Sequence, residues 1–419
     1  MSAEREFDVV VFGASGITGR QVAKYLDEVT GADGPRWAAA GRSADKLRQV
    51  LGEIGLSDPE IVVADLDDPG SLAAMAARTR VVLNLCGPYT LHGRPMIEAC
   101  VANGAHYVDL TGEIPFVRDI IDYYDKRATE AGVKVVEVCG FEALPPDLAV
   151  LMAAEAARER FGEGLAEVDV EVSLESPPGL PRPSDMISGG TFQSLAAAAG
   201  ADNAAAVADP AALVTDLARA AEVRRRSPIK VAPRRANGAV IAPMAPAAFI
   251  NPAVIQRTAA LTAAPGQEPY RYREGVALRG NPATLPFRYA GAAVLAGTQA
   301  GVRSAARARP AVRRRVGAAL GKVLPSSGFG PTGERLEGWH WRMAIEGRTT
   351  GGNVVRATVD ADGHPGYLAT ARMLGEAGLL LAEPGATPER SGCLTPATAL
   401  GTQSAGRFER AHVRFSVSD

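Results

Sequence analysis

A chain of 419 residues, 47% apolar and 22% charged, has the material for a large core and for two or three domains. Its formal net charge of -2 excludes a protein that holds nucleic acid through overall charge, and its four cysteines (Cys86, Cys100, Cys139 and Cys393) form no CxxC pair, which excludes a zinc ribbon or a disulfide framework. No apolar run reaches the roughly 18 residues of a spanning helix, and "MSAEREFDVVV" enters a strand with no room for a signal segment. A soluble, cytoplasmic protein is therefore expected.

The first 160 residues alternate strand and helix. "DVVVFG" (8–13) is a short apolar run, as in a strand buried on both faces, and Val22, Tyr25, Leu26 and Val29 then recur at helical spacing. "RWAAAG" (36–41) is a second strand. Ser43 caps a helix whose face is Leu47, Val50, Leu51 and Ile54. "EIVVAD" (60–65) is the third strand, with Pro69 in the first turn of the next helix. "RVVLNLCG" (80–87) precedes a helix over 94–104 closed by Gly104, and "HYVDLTG" (106–112) and "KVVEVCG" (134–140) supply strands five and six. This alternation predicts βαβ units and a doubly wound parallel sheet. Beyond it, "AEVDVEVSLES" (166–176) alternates like a half-exposed strand, and 337–363 reads as two antiparallel strands around a Thr-Thr-Gly-Gly turn. A helix returns over 366–383. The expected division is 1–165, an inserted α+β domain with an antiparallel sheet over 166–363, and a segment over 364–419 that packs back on the first domain.

Gly13, Gly16 and Gly19 form GxxGxxG between a buried strand and a helix. The first glycine permits a tight turn, the second admits a pyrophosphate close to the backbone, and the third allows the helix to pack closely on the strand. Helix amides then face the phosphates, with Ser15, Ile17 and Thr18 in the same loop. The second strand ends in Gly41-Arg42-Ser43, with no acid before Asp45 to bind a free ribose 2′-hydroxyl. An arginine fork and a hydroxyl suit a 2′-phosphate, so the expected cofactor is NADP rather than NAD. Asp65 stands either beside the adenine or in a plain strand-end turn. In "NLCGPYTLHG" (84–93), Cys86, Gly87 and Pro88 bring backbone toward a nicotinamide ribose, and Tyr89 and His92 project from the loop as candidate proton donors, Tyr89 first and His92 second. Glu113 in "DLTGE" and Glu142 in "CGFEALPPD" are the carboxylates of the same edge. Cys86 and Cys139 read as small strand residues rather than nucleophiles, and no metal cluster is visible among the five histidines.

The stretches "GASGITGRQVAKYL", "GRSADKL", "CGPYTLHGRPMIEACVANGAHYVDLTGE" and "CGFEALPPDLAV", with the tail "GYLATARMLGEAGLLL…CLTPATALG", resemble the saccharopine dehydrogenase-like oxidoreductases, and within them the trans-acting enoyl reductase subfamily. The resemblance covers about 1–160 and 363–402. It implies a Rossmann domain with an inserted α+β domain, a nicotinamide cofactor, and reduction of a double bond in a polyketide or fatty-acyl chain during lipid biosynthesis. It carries Gly13, Gly16, Gly19 and Arg42 as cofactor residues. "GFEALPPD" departs from the family's usual GFDS-type wording. Two other functions stay open: a reductase of a small amino-acid-like substrate, and a non-catalytic NADP-binding protein.

Near-neutral totals hide an asymmetry: Ala221–Lys322 carries 18 Lys and Arg against Glu222, Glu268 and Glu274, a net of +15. The stretch 303–322 combines Arg303, Arg307, Arg309, Arg313, Arg314, Arg315 and Lys322 with Val312, Val316 and Leu320. It reads either as a solvated helix face or as a peripheral contact for anionic lipid headgroups or an acidic acyl-carrier domain. The expected substrate is a lipid or acyl chain, free or carrier-bound. A homodimer is compatible with the sequence, and nucleic acid is not an expected partner.

Overall fold

The computed structural model describes residues 5–31, 33–56, 58–178, 204–244, 247–309, 311–313 and 333–418. Half of the 303–322 basic stretch, including Arg314, Arg315 and Lys322, lies outside them. The chain begins with six strand–helix units: β1 (Phe7–Phe12), α1 (Ile17–Thr30), β2 (Trp37–Gly41), α2 (Ala44–Gly52), β3 (Ile61–Val63), α3 (Pro69–Ala77), β4 (Thr79–Asn84), α4 (Tyr89–Asn103), β5 (His106–Asp109), α5 (Ile114–Glu130), β6 (Lys134–Val136) and α6 (Leu144–Phe161). There follow β7 (Leu165–Glu175), β8 (Arg234–Ala236), β9 (Ala239–Ala242), β10 (Arg271–Leu278), β11 (His340–Thr349), β12 (Val354–Asp362), β13 (Gly392–Leu394) and β14 (Val413–Ser418).

The first sheet runs β13-β6-β5-β4-β1-β2-β3 with every pair parallel. Helices cover both faces, so the strands are apolar on both sides: Val9 and Val11 join one core cluster and Val10 and Phe12 the other. The order reverses between β1 and β4, the crevice where doubly wound sheets bind ligands.

The second sheet runs β14-β12-β11-β7-β10-β9-β8. It is mixed rather than antiparallel, because β10 returns beside β7 in parallel register. Its inner face (Val168, Val170, Val172, Tyr272, Met343, Ile345) belongs to the same core cluster as β1. Its outer face is ion-paired, with Arg273 on Asp169, Arg342 on Asp360 and Arg271 on Glu167. The Trp341 ring meets Phe141 edge-on at 4.9 Å and so seats this sheet against the loop after β6.

The segment after 363 divides between the two sheets. Its helix Thr370–Ala382 is buried along its length, and β13 pairs with β6, both in the first domain. The last strand, β14, instead pairs with β12 of the second sheet. An edge strand with unpaired amides recruits whatever strand reaches it, so the tail packs on both domains and not on the first alone.

Candidate cofactor and active site

The glycine loop has the geometry its three glycines require. Gly13 sits at φ +88°, and a Cβ there would meet Cys86 Sγ at 2.8 Å. At Gly19 a Cβ would lie 2.3 Å from the Gly13 carbonyl oxygen, so only glycine lets α1 pack this closely on β1. Gly16 is different: it is exposed, and its nearest neighbour, the Gly13 oxygen, is 3.3 Å from a built Cβ. Space therefore lies over Gly16. It is also the N-cap of α1, with no side-chain cap and no acid in the first turn, which leaves amides aimed outward. This is a cradle that a side chain would fill and a pyrophosphate fits. Ser15, Ile17 and Thr18 are half-buried around it, and the Ser15 carbonyl accepts from Arg20 Nε at 3.2 Å.

Arg42 is exposed at the end of β2. Its guanidinium lies near enough to Cys86 to oppose the burial that pushes that thiol up to about 11. Ala40 pairs with Phe12 and accepts from the Gly13 amide at 2.9 Å, so Arg42 leaves β2 beside the glycine loop. Ser43 accepts from the Lys46 amide at 3.3 Å as the N-cap of α2, and its hydroxyl proton stays available. Asp65 folds back on its own turn, accepting from the Asp67 amide at 3.1 Å, which is the strand-end alternative. Cys139 is a buried thiol, and desolvation disfavours its ionisation as it does that of Cys86.

The loop after β4 abuts the glycine loop, with the Leu85 amide donating to the Phe12 carbonyl at 2.9 Å. Gly87 and Pro88 lead into α4 through a cis peptide bond, and Pro88 is the N-cap. The helix begins at Tyr89, five residues before its expected start, with Pro95 inside it. Glu113 makes the early start possible. Fully buried, it accepts from the Tyr89 amide at 2.9 Å and the Thr90 amide at 2.8 Å, and from the Thr90 hydroxyl. A carboxylate on the first amides of a helix is a strong cap. Glu113 thus fixes the loop rather than facing a substrate.

Tyr89 is consequently not a loop residue projecting into the cleft. It is 5% exposed, and its hydroxyl donates to the Asn84 carbonyl at 3.0 Å. Burial and the nearby Asp109 hold its phenol well above the usual range. Its proton is already committed inside the protein, which corrects the expectation that it is the first candidate donor. His92 lies one turn on and is exposed on α4. Glu142 is half-buried beside Gly140, its carboxyl raised by desolvation, and its loop is held by the Phe141 amide donating to Thr370 Oγ1 at 3.1 Å.

Reading the sequence missed a buried polar network beneath these loops. Asn84 accepts from the Cys86 amide at 3.1 Å and donates to Tyr107 at 3.1 Å. Tyr107 donates to Asp109 Oδ2 at 2.8 Å, and Asp109 Oδ1 accepts from the Thr111 and Val138 amides at 3.0 and 3.2 Å. The carboxyl ends of β4, β5 and β6 are thereby tied together. Burial pushes Asp109 up to about 7, with Glu113 adding to the shift. The available signal was polar residues (Asn84, Asp109) ending otherwise apolar strands. A second cluster lies on β10, where Glu274 accepts from Tyr272 at 2.7 Å and from Asn251 at 2.8 Å. Among the described residues no group of His, Cys, Asp and Glu could hold a metal.

Residues 9–136 match the saccharopine dehydrogenase NADP binding domain, so this part of the chain is an NADP-binding domain. The chain is 33% identical over 430 residues to the trans-acting enoyl reductase of Mycobacterium ulcerans, covering 100% of this chain and 99% of that one. It is also 33% identical to that of Mycobacterium tuberculosis strain H37Rv, covering 98% of this chain and 97% of the relative. Among solved structures, apo saccharopine dehydrogenase (L-Glu forming) from Saccharomyces cerevisiae aligns over 98% of this chain and 99% of its own, at 14% identity and a TM-score of 0.48. The chain belongs to the trans-acting enoyl reductase subfamily of the saccharopine dehydrogenase-like oxidoreductases.

Proposed function

We propose that this protein reduces the carbon–carbon double bond of an α,β-unsaturated acyl chain at the expense of NADPH. The observation that carries the reading is full-length similarity to enoyl reductases in a chain whose β1–α1 cradle stands open over Gly16 beside Arg42. When bound, NADPH supplies the hydride that reaches the β-carbon. The amides of Gly16, Ile17 and Thr18 hold the pyrophosphate. Arg42, helped by the Ser43 hydroxyl, takes the 2′-phosphate and selects NADP over NAD. Glu113 pins the 87–90 loop so that the backbone of Cys86, Gly87 and Pro88 lies along the nicotinamide end. His92, on the exposed side of the first turn of α4, delivers the proton to the α-carbon as the enolate collapses. Tyr89 positions the loop through Asn84 and does not exchange its proton with substrate.

The name of the relatives implies action on an intermediate made by a separate synthase, and we extend this to an acyl chain presented by a partner. The test is anaerobic incubation of purified protein and NADPH with a medium- or long-chain enoyl thioester. NADPH consumption should match saturated product by mass spectrometry. Turnover only with an imine or 2-oxo acid and an amine would replace the acyl substrate by an amino-acid-like one. NADPH binding with no turnover on any of these would leave a non-catalytic cofactor protein.

A further inference from the structure

The helix Leu285–Ala306 touches the rest of the protein along one narrow stripe. Within it only Ala292, Gln299 and Ala306, seven residues apart, are buried. Ala292 packs with Val240 and Ala242 of β9, and Ala306 with Val207, Ala208 and Phe249. At 100° per residue, Phe287 and Val294 fall on the side opposite that stripe. They are 79% and 69% exposed, with Tyr289 at 37% and Leu295 at 38% on the flanks. The spaces between are filled by Ala290, Gly291, Gly297 and Gly301, all exposed, and by two hydroxyls that fold back on the helix, Thr298 donating to the Val294 carbonyl at 3.0 Å and Ser304 to the Ala300 carbonyl at 2.8 Å.

No charge interrupts this face. The helix has two charged residues, and both turn back to the body. Arg288 donates to the Leu278 and Asn281 carbonyls at 3.2 and 3.1 Å, and Arg303 to the Ile229 carbonyl at 3.4 Å. Exposed helices in water normally carry charge on the outer side. An uncharged face that holds two large apolar side chains out in water marks a place where something binds.

Charge at the end of the helix says what binds. Arg307 and Arg309 are exposed just past Ala306, and no ion pair joins either to a carboxylate among the described residues. Between Glu274 and Glu334 the sequence has nine Lys and Arg and no acid at all. A second copy packed on the same face would offer these arginines no acid from 275–333. An acidic carrier protein would engage the arginines but has no need of Phe287 and Val294. A bilayer with anionic headgroups satisfies both, since apolar side chains enter the headgroup–acyl boundary while guanidinium groups sit among phosphates. Among the described residues no helix is long and apolar enough to cross a membrane, so this one would lie along the surface.

We propose that the helix Leu285–Ala306, with Arg307 and Arg309, docks this protein onto an anionic lipid surface. This does not depend on the enoyl reductase reading, although a surface-bound enzyme has direct access to greasy substrates. The test is flotation of the full-length protein with phosphatidylcholine vesicles and with phosphatidylcholine–phosphatidylglycerol vesicles, at low and high salt. The parent should bind the anionic vesicles at low salt and be released as salt rises through the screening range of about 0.1 to 1 M. Phe287→Asp with Val294→Asp should lower the partition coefficient by about tenfold or more, from the loss of two buried apolar side chains. Arg307→Glu with Arg309→Glu should lower it too and weaken the salt response. NADPH affinity and circular dichroism should be unchanged throughout; if the aspartates disturb folding, Phe287→Ser with Val294→Ser serves instead. Failure of the parent to bind anionic vesicles at low salt would overturn the proposal, as would Phe287 and Val294 variants that bind like the parent. A parent dimer that the same variants dissociate, without vesicle binding, would assign the face to a second copy and also overturn it.

Discussion

Arg42→Ala separates the two nicotinamide cofactors. Arg42 is exposed, follows the end of β2 beside the glycine loop, and has no ion-pair partner among the described residues, so its donors are not committed within the protein. A hydrogen bond to a charged group contributes about 1.5–3 kcal/mol, and exposure to solvent places Arg42 toward the lower end. At about 1.4 kcal/mol per tenfold, the Kd for NADPH should rise about 10- to 30-fold. NADH lacks the 2′-phosphate and should bind the variant as it binds the parent. Titration of both cofactors by isothermal calorimetry reads the difference directly, and the NADPH loss should shrink as salt is raised. Equal losses for both cofactors would place Arg42 on the shared part of the dinucleotide and refute the 2′-phosphate assignment. No loss for either would make it a solvated strand-end residue.

Glu113→Ala leaves the Tyr89 and Thr90 amides without their carboxylate, and buried donors without partners cost about 1–3 kcal/mol each, so a lower Tm and weaker NADPH binding are expected together; unchanged values for both would show that water replaces the cap. Tyr89→Phe removes one internal hydrogen bond and should change kcat by less than about tenfold, whereas His92→Gln should lower it about 10²-fold or more with NADPH affinity intact. The reverse pattern in steady-state kinetics would return the proton to Tyr89. Asp147, fully buried, accepts from Thr258 at 2.5 Å and from the Ala397 amide at 2.9 Å, and burial pushes it up to about 7 from 3.8. A raised carboxyl pKa means the folded state holds the proton that the unfolded chain releases, so the contribution is full below 3.8 and is lost as pH rises to about 7. Asp109 and Glu274 act in the same direction. Melting temperature should therefore fall between about pH 4 and 7, and Asp147→Asn should flatten part of that fall; a variant with the parent's slope would remove Asp147 from the cause.

Much of the first domain was legible in the sequence because its determinants are local. A strand buried on both faces is apolar throughout, a packed helix repeats its apolar face, and Ser43 caps the helix that follows it. The glycine roles were equally local: the reasons for Gly13 and Gly19 are the Cβ contacts at 2.8 and 2.3 Å that any side chain would make. What only the tertiary structure decided was the partner of each polar group. Glu113 and Tyr89 lie 24 residues apart, and nothing nearby in sequence shows that one carboxylate closes the other's helix. The same holds for Tyr89's hydroxyl, for β10 returning parallel to β7, and for β14 leaving the first domain for the edge of β12. The helix Leu285–Ala306 makes the point from the opposite side. Nothing in its composition marks an outer face, and only the placement of its stripe on β9 shows that most of its apolar surface faces outward. Periodicity records which residues prefer to leave water; which surface receives them depends on elements far away in the chain, and that is settled when the sheets assemble.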